Sequence, residues 1–257
     1  GYGLCFGLRA NDPAALEQVE PFLPLGWDPA PTGEVDILYS LRLAPPTQQE
    51  GRRNYSLLYC GSALLARSPE FPPLLPAFQQ HAELLTAFRA QDCLFVHAGA
   101  VGWQGQGIVL PGRSMTGKTT LVKALVLAGA TYYSDEFAVL DKDGRMHPYP
   151  LPLSIRGKGG QPEHKTSVEA LGGQVGIESL PVGLVVVTHY QPRARWRPQE
   201  LSPAQAMLAL MDNTVAARRE PQYTMPILRQ AVMDARIIQS KRGEATRVSP
   251  ALLRQLQ

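Results

Sequence analysis

Residues 107–121 read Gly-Ile-Val-Leu-Pro-Gly-Arg-Ser-Met-Thr-Gly-Lys-Thr-Thr-Leu, and Gly112 through Thr119 satisfy the spacing G-x-x-x-x-G-K-[ST] at every fixed position. Ile108-Val109-Leu110 supplies an apolar strand before this loop, and Leu121 to Leu127 supplies the apolar positions of a helix after it. A strand that turns through glycines into a helix commits this part of the chain to an α/β layer. Glycine at 112 and 117 lets successive backbone N–H groups face one concavity with no Cβ in the way. The helix N-terminus adds unsatisfied donors and the positive end of its dipole. The expected ligand is the polyphosphate of a nucleoside triphosphate, cradled by Gly112, Ser114, Met115, Thr116, Gly117, Lys118, Thr119 and Thr120. Lys118 brings a mobile charge to the terminal phosphates, and the Thr119 hydroxyl is a ligand for Mg²⁺.

The bulk chemistry is that of an ordinary globule: 257 residues, 44% apolar, 18% charged, net charge +3. Arginines are scattered, with no basic run that would read as a nucleic-acid surface, so no nucleic-acid partner is expected. No apolar run approaches the roughly 18 residues of a membrane span, and no membrane partner is expected. The start carries no basic segment, apolar stretch and cleavage site of a secretory leader, which makes cytoplasmic the expected location. Cys5, Cys60 and Cys93 are odd in number and far apart, and read as buried free thiols.

Periodicity divides the chain into a small α+β subdomain at residues 1–80 and a phosphate-loop domain at residues 81–257. In the first, Leu4–Arg9, Val35–Leu41 and Tyr55–Tyr59 read as strands, and Asn11-Asp12-Pro13 opens a helix over Ala14–Phe22. Pro69, Pro72, Pro73 and Pro76 read as a boundary, followed by a helix from Phe78 to Ala90. In the second, strands are expected over Leu94–Val101, Gly107–Leu110, Thr131–Leu140 and Leu180–Thr188, with a hairpin turn at Asp141–Arg145 that makes the sheet mixed. Helices are expected at Pro203–Met211, Pro226–Ala235 and Pro250–Leu256. Gly157–Gly176 reads as a glycine-rich loop and a candidate lid.

Phosphoryl chemistry needs acids beside the loop. Leu184-Val185-Val186-Val187 ends in Thr188-His189 instead of an acid, which speaks against the usual GTPase and transport-ATPase layouts. The better candidates are Asp135 and Glu136, on the strand after the loop's helix. Neighbours on a strand point to opposite faces unless the chain bends, so one carboxylate could serve the nucleophile and the other the metal; a solvated acidic turn is the competing reading. Ala170-Leu171-Gly172-Gly173-Gln174 only faintly echoes an ABC-transporter signature. Arg193, Arg195 and Arg197 alternate, either as an anion clasp or as a charged strand edge.

Val96-His97-Ala98-Gly99, the phosphate loop, and Gly129 through Ser134-Asp135-Glu136 together resemble the catalytic domain of HPr kinase/phosphorylase. Gly117 to Leu121 is also similar to the loop of phosphoenolpyruvate carboxykinase, and Leu153 to Gly159 to the family's Glu-Ile-Arg-Gly-x-Gly segment. The resemblance covers about residues 94–160, and 180–257 loosely. It implies an α/β fold, a P-loop domain of the HPr kinase/phosphoenolpyruvate carboxykinase type preceded by the small N-terminal α+β subdomain. It further implies Asp135 as base, Glu136 with Thr119 on Mg²⁺, His97 near the phosphates or the base, and Arg156 on the transferring group. Glu136 stands where the family has Asp, and Ser154 where it has an acid; the latter weakens any phosphorylase reading. For His97 taken alone, a core histidine is the competing reading.

The function expected is an ATP- and Mg²⁺-dependent kinase acting on a hydroxyl, serine first, of a peptide, protein or small molecule. Homo-oligomer formation is left open. The alternative is a non-catalytic nucleotide-sensing module, which would not need the Asp135-Glu136 pair.

Overall fold

The computed structural model describes residues 1–31, 33–45, 54–113, 116–155 and 164–256. Two compact units divide the chain, Gly1–Gln91 and Asp92–Gln257. Both are mixed α/β, and among the described residues no helix is long and apolar enough to cross a membrane.

The first unit holds β1 (Phe6–Ala10), α1 (Ala14–Val19), β2 (Ile37–Arg42), β3 (Ser56–Cys60), β4 (Ala63–Ser68) and α2 (Leu74–Arg89). Its sheet has the order β1-β2-β3-β4. β1 and β2 are parallel across the α1 connection, and β2, β3 and β4 are antiparallel. In β2 the residues Ile37, Tyr39 and Leu41 alternate inward. They meet Leu74, Phe78 and Ala82, spaced four apart along α2. Asp12 Oδ1 accepts from the Ala14 N–H and helps start α1. β4 was not expected; it is the return arm of a tight hairpin at Gly61. The cluster of prolines lies within the Gly1–Gln91 unit. Pro73 caps α2 and Pro76 lies in its first turn, where no intrahelical N–H bond is lost, so the helix begins four residues before Phe78 and packs within this unit.

The second unit is built on an eight-stranded mixed sheet. Its strands are β5 (Leu94–Trp103), β6 (Gln106–Pro111), β7 (Thr131–Ser134), β8 (Phe137–Leu140), β9 (Met146–His147), β12 (Val182–Tyr190), β13 (Gln199–Glu200) and β14 (Arg236–Arg242). The order is β13-β14-β12-β6-β5-β8-β9, with β7 also on β5. The centre, β14-β12-β6, is parallel. A separate ribbon pairs β10 (Leu153–Ile155) with β11 (His164–Thr166). Helices cover both faces: α3 (Lys118–Leu127) and α6 (Ala245–Leu253) on one, α4 (Pro203–Met211) and α5 (Pro221–Met233) on the other. Ile108, Leu110, Leu184, Val186 and Ile238 face α3 and α6, while Val109, Val185 and Ile237 face α4 and α5. Burial on both faces explains why β6 and β12 read as continuous apolar runs.

Several boundaries differ from the sequence reading. Pro226 and Pro250 lie inside α5 and α6, not at their starts. β14 was missed, because only Ile237 and Ile238 mark it as apolar. Thr131–Leu140 is two strands, broken at Asp135-Glu136. The expected loop at 157–176 contains β11 and a 3₁₀ turn at Glu169–Leu171; its residues 157–163 lie outside the described residues. Arg193 takes a left-handed φ of 62°, and the alternating arginines do not form a strand. All three cysteines are free, but only Cys93 is buried, and its thiol is pushed up to about 12 chiefly by burial.

The Asp141–Arg145 hairpin joins β8 to β9 through Gly144, at φ 73°. A Cβ there would lie 2.5 Å from the Ala231 backbone nitrogen in α5. Gly144→Ala therefore combines a left-handed penalty with a backbone clash, and should cost at least ~2 kcal/mol of stability in denaturant titration.

Candidate active site

The site forms where β6 hands over to α3. Pro111 ends the strand, and the Gly112 N–H donates to the His97 carbonyl on neighbouring β5 (3.3 Å). The loop then tightens through Thr116, whose hydroxyl donates to the Arg113 carbonyl (2.8 Å). Gly112 is required by this closeness: a Cβ on it would lie 2.8 Å from Thr116 Oγ1. Gly117 caps α3 with φ 86°. Lys118, the first helical residue, folds back so that Nζ donates to the carbonyls of Gly112 (2.7 Å) and Arg113 (3.1 Å).

The acids arrive through the break between β7 and β8. Both strands pair with β5, so the sheet continues across the break while the chain bends. Ser134 holds the bend: its Oγ accepts from the N–H groups of Glu136 (3.2 Å) and Phe137 (3.0 Å). The bend turns both carboxylates to one end of the sheet. Glu136 Oε1 lies 3.2 Å from His97 Nε2, and that same nitrogen lies 3.4 Å from Lys118 Nζ. One tautomer of His97 donates to Glu136; the other accepts from Lys118. His97, Lys118 and Glu136 thus form one polar cluster at the mouth of the loop.

Asp135 is only 5% exposed. Burial pushes its carboxyl above the ordinary aspartate value, while hydrogen bonds from Thr119 and Tyr132 oppose the shift. Glu136, half exposed, moves the other way, lowered first by its hydrogen bond to His97 against burial and then further by the Lys118 charge. Burial lowers Lys118, and the charges of Glu136 and Asp135 counter it. Two neighbouring carboxyls of one bend are thereby pushed apart in proton affinity, the pattern expected where they have different tasks.

Of the residues singled out from sequence, Gly112, Thr116, Gly117, Lys118, Thr119, His97, Asp135 and Glu136 meet at this end of the sheet. Thr120 is on the exposed side of the first turn of α3. Ser114, Met115 and Arg156 lie outside the described residues. Three other side chains were not found from sequence. Tyr132 donates its hydroxyl to Asp135 Oδ1 (2.9 Å) and also lies 2.7 Å from the Leu151 carbonyl oxygen. Arg242, at the end of β14, donates from Nη2 to the Gly117 carbonyl (2.7 Å). Tyr190, at the end of β12, places its ring 5.7 Å from that guanidinium. The Tyr132 spacing to Asp135 was visible in the sequence, but nothing marked its hydroxyl as buried beside the acid; Arg242 sits in a strand with too little apolar content to be read.

Oxygen donors suit a hard divalent cation, and Thr119 and Glu136 provide a hydroxyl and a carboxylate at this mouth. Among the described residues no cluster of three or more His, Cys, Asp or Glu could hold a metal by itself. That donor set fits Mg²⁺, which keeps waters and shares its ligands with substrate phosphates.

Gly117→Ala is expected to weaken nucleotide binding by at least about tenfold in calorimetry, because alanine disfavours the left-handed φ and its Cβ would lie 2.5 Å from Arg242 Nη2.

No protein-family model matches the chain, and no curated protein matches it. Among solved structures the chain is similar to the Hpr(Ser) kinase/phosphatase from Coxiella burnetii, at 13% identity and a TM-score of 0.34, over 63% of this chain and 92% of that one.

Proposed function

We propose that the Asp92–Gln257 unit is an ATP- and Mg²⁺-dependent kinase that phosphorylates a hydroxyl, serine above all, of a peptide, protein or small molecule. The observation that carries this reading is the convergence of Lys118, His97, Glu136 and a buried Asp135 on the mouth of a glycine loop at a helix N-terminus. A loop alone accounts for binding; the buried carboxylate beside it accounts for proton transfer.

In this reading the loop N–H groups and Lys118 hold the β- and γ-phosphates in line with the acceptor. Asp135 receives the acceptor's proton as its oxygen bonds to the γ-phosphorus and the bond to the β,γ-bridging oxygen breaks, releasing ADP. Its raised proton affinity makes it a better base than a solvated aspartate. Thr119 and Glu136 would hold Mg²⁺, which when bound neutralises charge on the phosphates. His97 orients Glu136. Arg156 stands as a candidate for charge on the transferring group by resemblance alone.

The test is mass spectrometry after incubation with γ-labelled ATP, Mg²⁺ and lysate from the protein's own source, beside Asp135→Asn. A serine phosphorylated by the wild type and not by the variant supports the kinase. Nucleotide bound with no phosphate transferred moves the reading to a nucleotide-sensing module.

A further inference from the structure

Arg242 is the largest fully buried side chain among the described residues, 2% exposed, and no ion-pair contact among them explains it. Among the described residues no carboxylate lies within ion-pair distance. Nη2 donates to the Gly117 carbonyl (2.7 Å) and Nη1 to the Gly243 carbonyl (3.2 Å), while Nε is buried with no hydrogen-bond partner among the described residues. The nearby Glu244 is engaged elsewhere, accepting from the Tyr190 hydroxyl (3.0 Å). The Tyr190 ring flanks the guanidinium at 5.7 Å and is itself 44% exposed. A buried cation held by carbonyls, an aromatic face and the through-space pull of Glu244, with no ion-pair contact, is costly, and for folding alone an apolar side chain of the same length would serve better.

Its position says what the charge is for. The Gly117 carbonyl accepts from both Arg242 and the Leu121 N–H (3.1 Å), the first bond of α3. Across a trans peptide the Lys118 N–H must point the opposite way, out of the helix end and into the loop. Arg242 thus fixes the peptide plane on which the cradle's geometry depends and places a full positive charge behind the positive end of the helix dipole. The left-handed Gly117 is what permits the approach, since any Cβ would meet Nη2.

We propose that Arg242 is a positioning residue of the phosphate site, holding the Gly117–Lys118 peptide from behind and supplying a fixed charge that a polyphosphate neutralises. The proposal rests on the nucleotide reading above. Its effect scales with the number of phosphates on the ligand, which a strut for the loop would not produce.

The experiment measures binding of AMP, pyrophosphate, tripolyphosphate and ATP to the full chain by calorimetry at low and moderate salt. Wild type is compared with Arg242→Met and Arg242→Lys, and thermal unfolding is recorded without anion. Arg242→Met is expected to weaken ATP and tripolyphosphate at least about tenfold and AMP less than about twofold, with anion-free stability unchanged or raised. Arg242→Lys keeps the charge, loses the fork and falls between. Should the methionine variant fail to fold, the lysine variant decides by the same phosphate-number dependence. Equal losses for AMP and tripolyphosphate, or affinities within about twofold of wild type throughout, would overturn the proposal and leave the loop reading standing. A wild type that binds no polyphosphate overturns both.

Discussion

Replacing Lys118 by alanine is expected to lower turnover by at least about 10²-fold, the scale for loss of one preorganised charge donor. Two losses combine. The first is the charge itself, at a partly buried site where electrostatic contacts are stronger than in bulk water. The second is structural: Nζ ties the Gly112 and Arg113 carbonyls together, so its removal loosens the loop proposed to orient the phosphates. ATP affinity should therefore fall with turnover, and steady-state kinetics with calorimetry separate the two. Lys118→Arg is not expected to rescue, since a planar fork cannot replace a compact ammonium folded over two carbonyls beside His97. Full activity in Lys118→Ala would remove the loop from the mechanism.

Asp135→Asn is expected to abolish transfer and leave nucleotide binding within a few-fold of wild type, because the amide cannot take a proton but can still accept from Tyr132 and Thr119. Stability should move in the opposite sense to activity. The folded protein raises the Asp135 pKa, chiefly by burial, so the native state disfavours the carboxylate. The contribution to stability is fully present below the unfolded aspartate value and is lost as pH rises through the raised folded value. Asparagine escapes that loss. The variant should melt higher than wild type at neutral pH, with the gap closing as pH falls toward the unfolded aspartate range. Thermal scans across pH test this without substrate, and a variant less stable at neutral pH would contradict the burial of an ionised base. Loss of transfer together with raised stability would identify Asp135 as a group placed for chemistry at the expense of the fold.

How much of the site was readable depends on how local each part is. Gly112 to Thr119 is one contiguous run in which backbone freedom, helix entry and charge are all set by residue type at short spacing. The two acids were readable as candidates, yet their arrangement was not: a strand with adjacent acids predicts opposite faces, and only the Ser134-centred bend between two strands paired to β5 brings them together. Pro76, Pro226 and Pro250 misled the reading in a consistent way. Each reads as punctuation by residue type, whereas helices here accommodate proline in the first turn or, supported by packing of an apolar face, deeper.

By itself, the sequence determined the strand–loop–helix unit, the mixed α/β layering and the residue types available to phosphate and proton, because these follow from periodicity and from glycine, lysine and hydroxyl chemistry over a few positions. Only the tertiary structure decided which groups share a site. His97 reaches Lys118 from 21 residues away and Arg242 reaches Gly117 from 125, through strand neighbours in a sheet whose order no local pattern encodes. The burial that raises Asp135 and the His97 hydrogen bond that lowers Glu136 also belong to the packed state, since they are properties of what surrounds a carboxyl and not of the carboxyl's place in the chain.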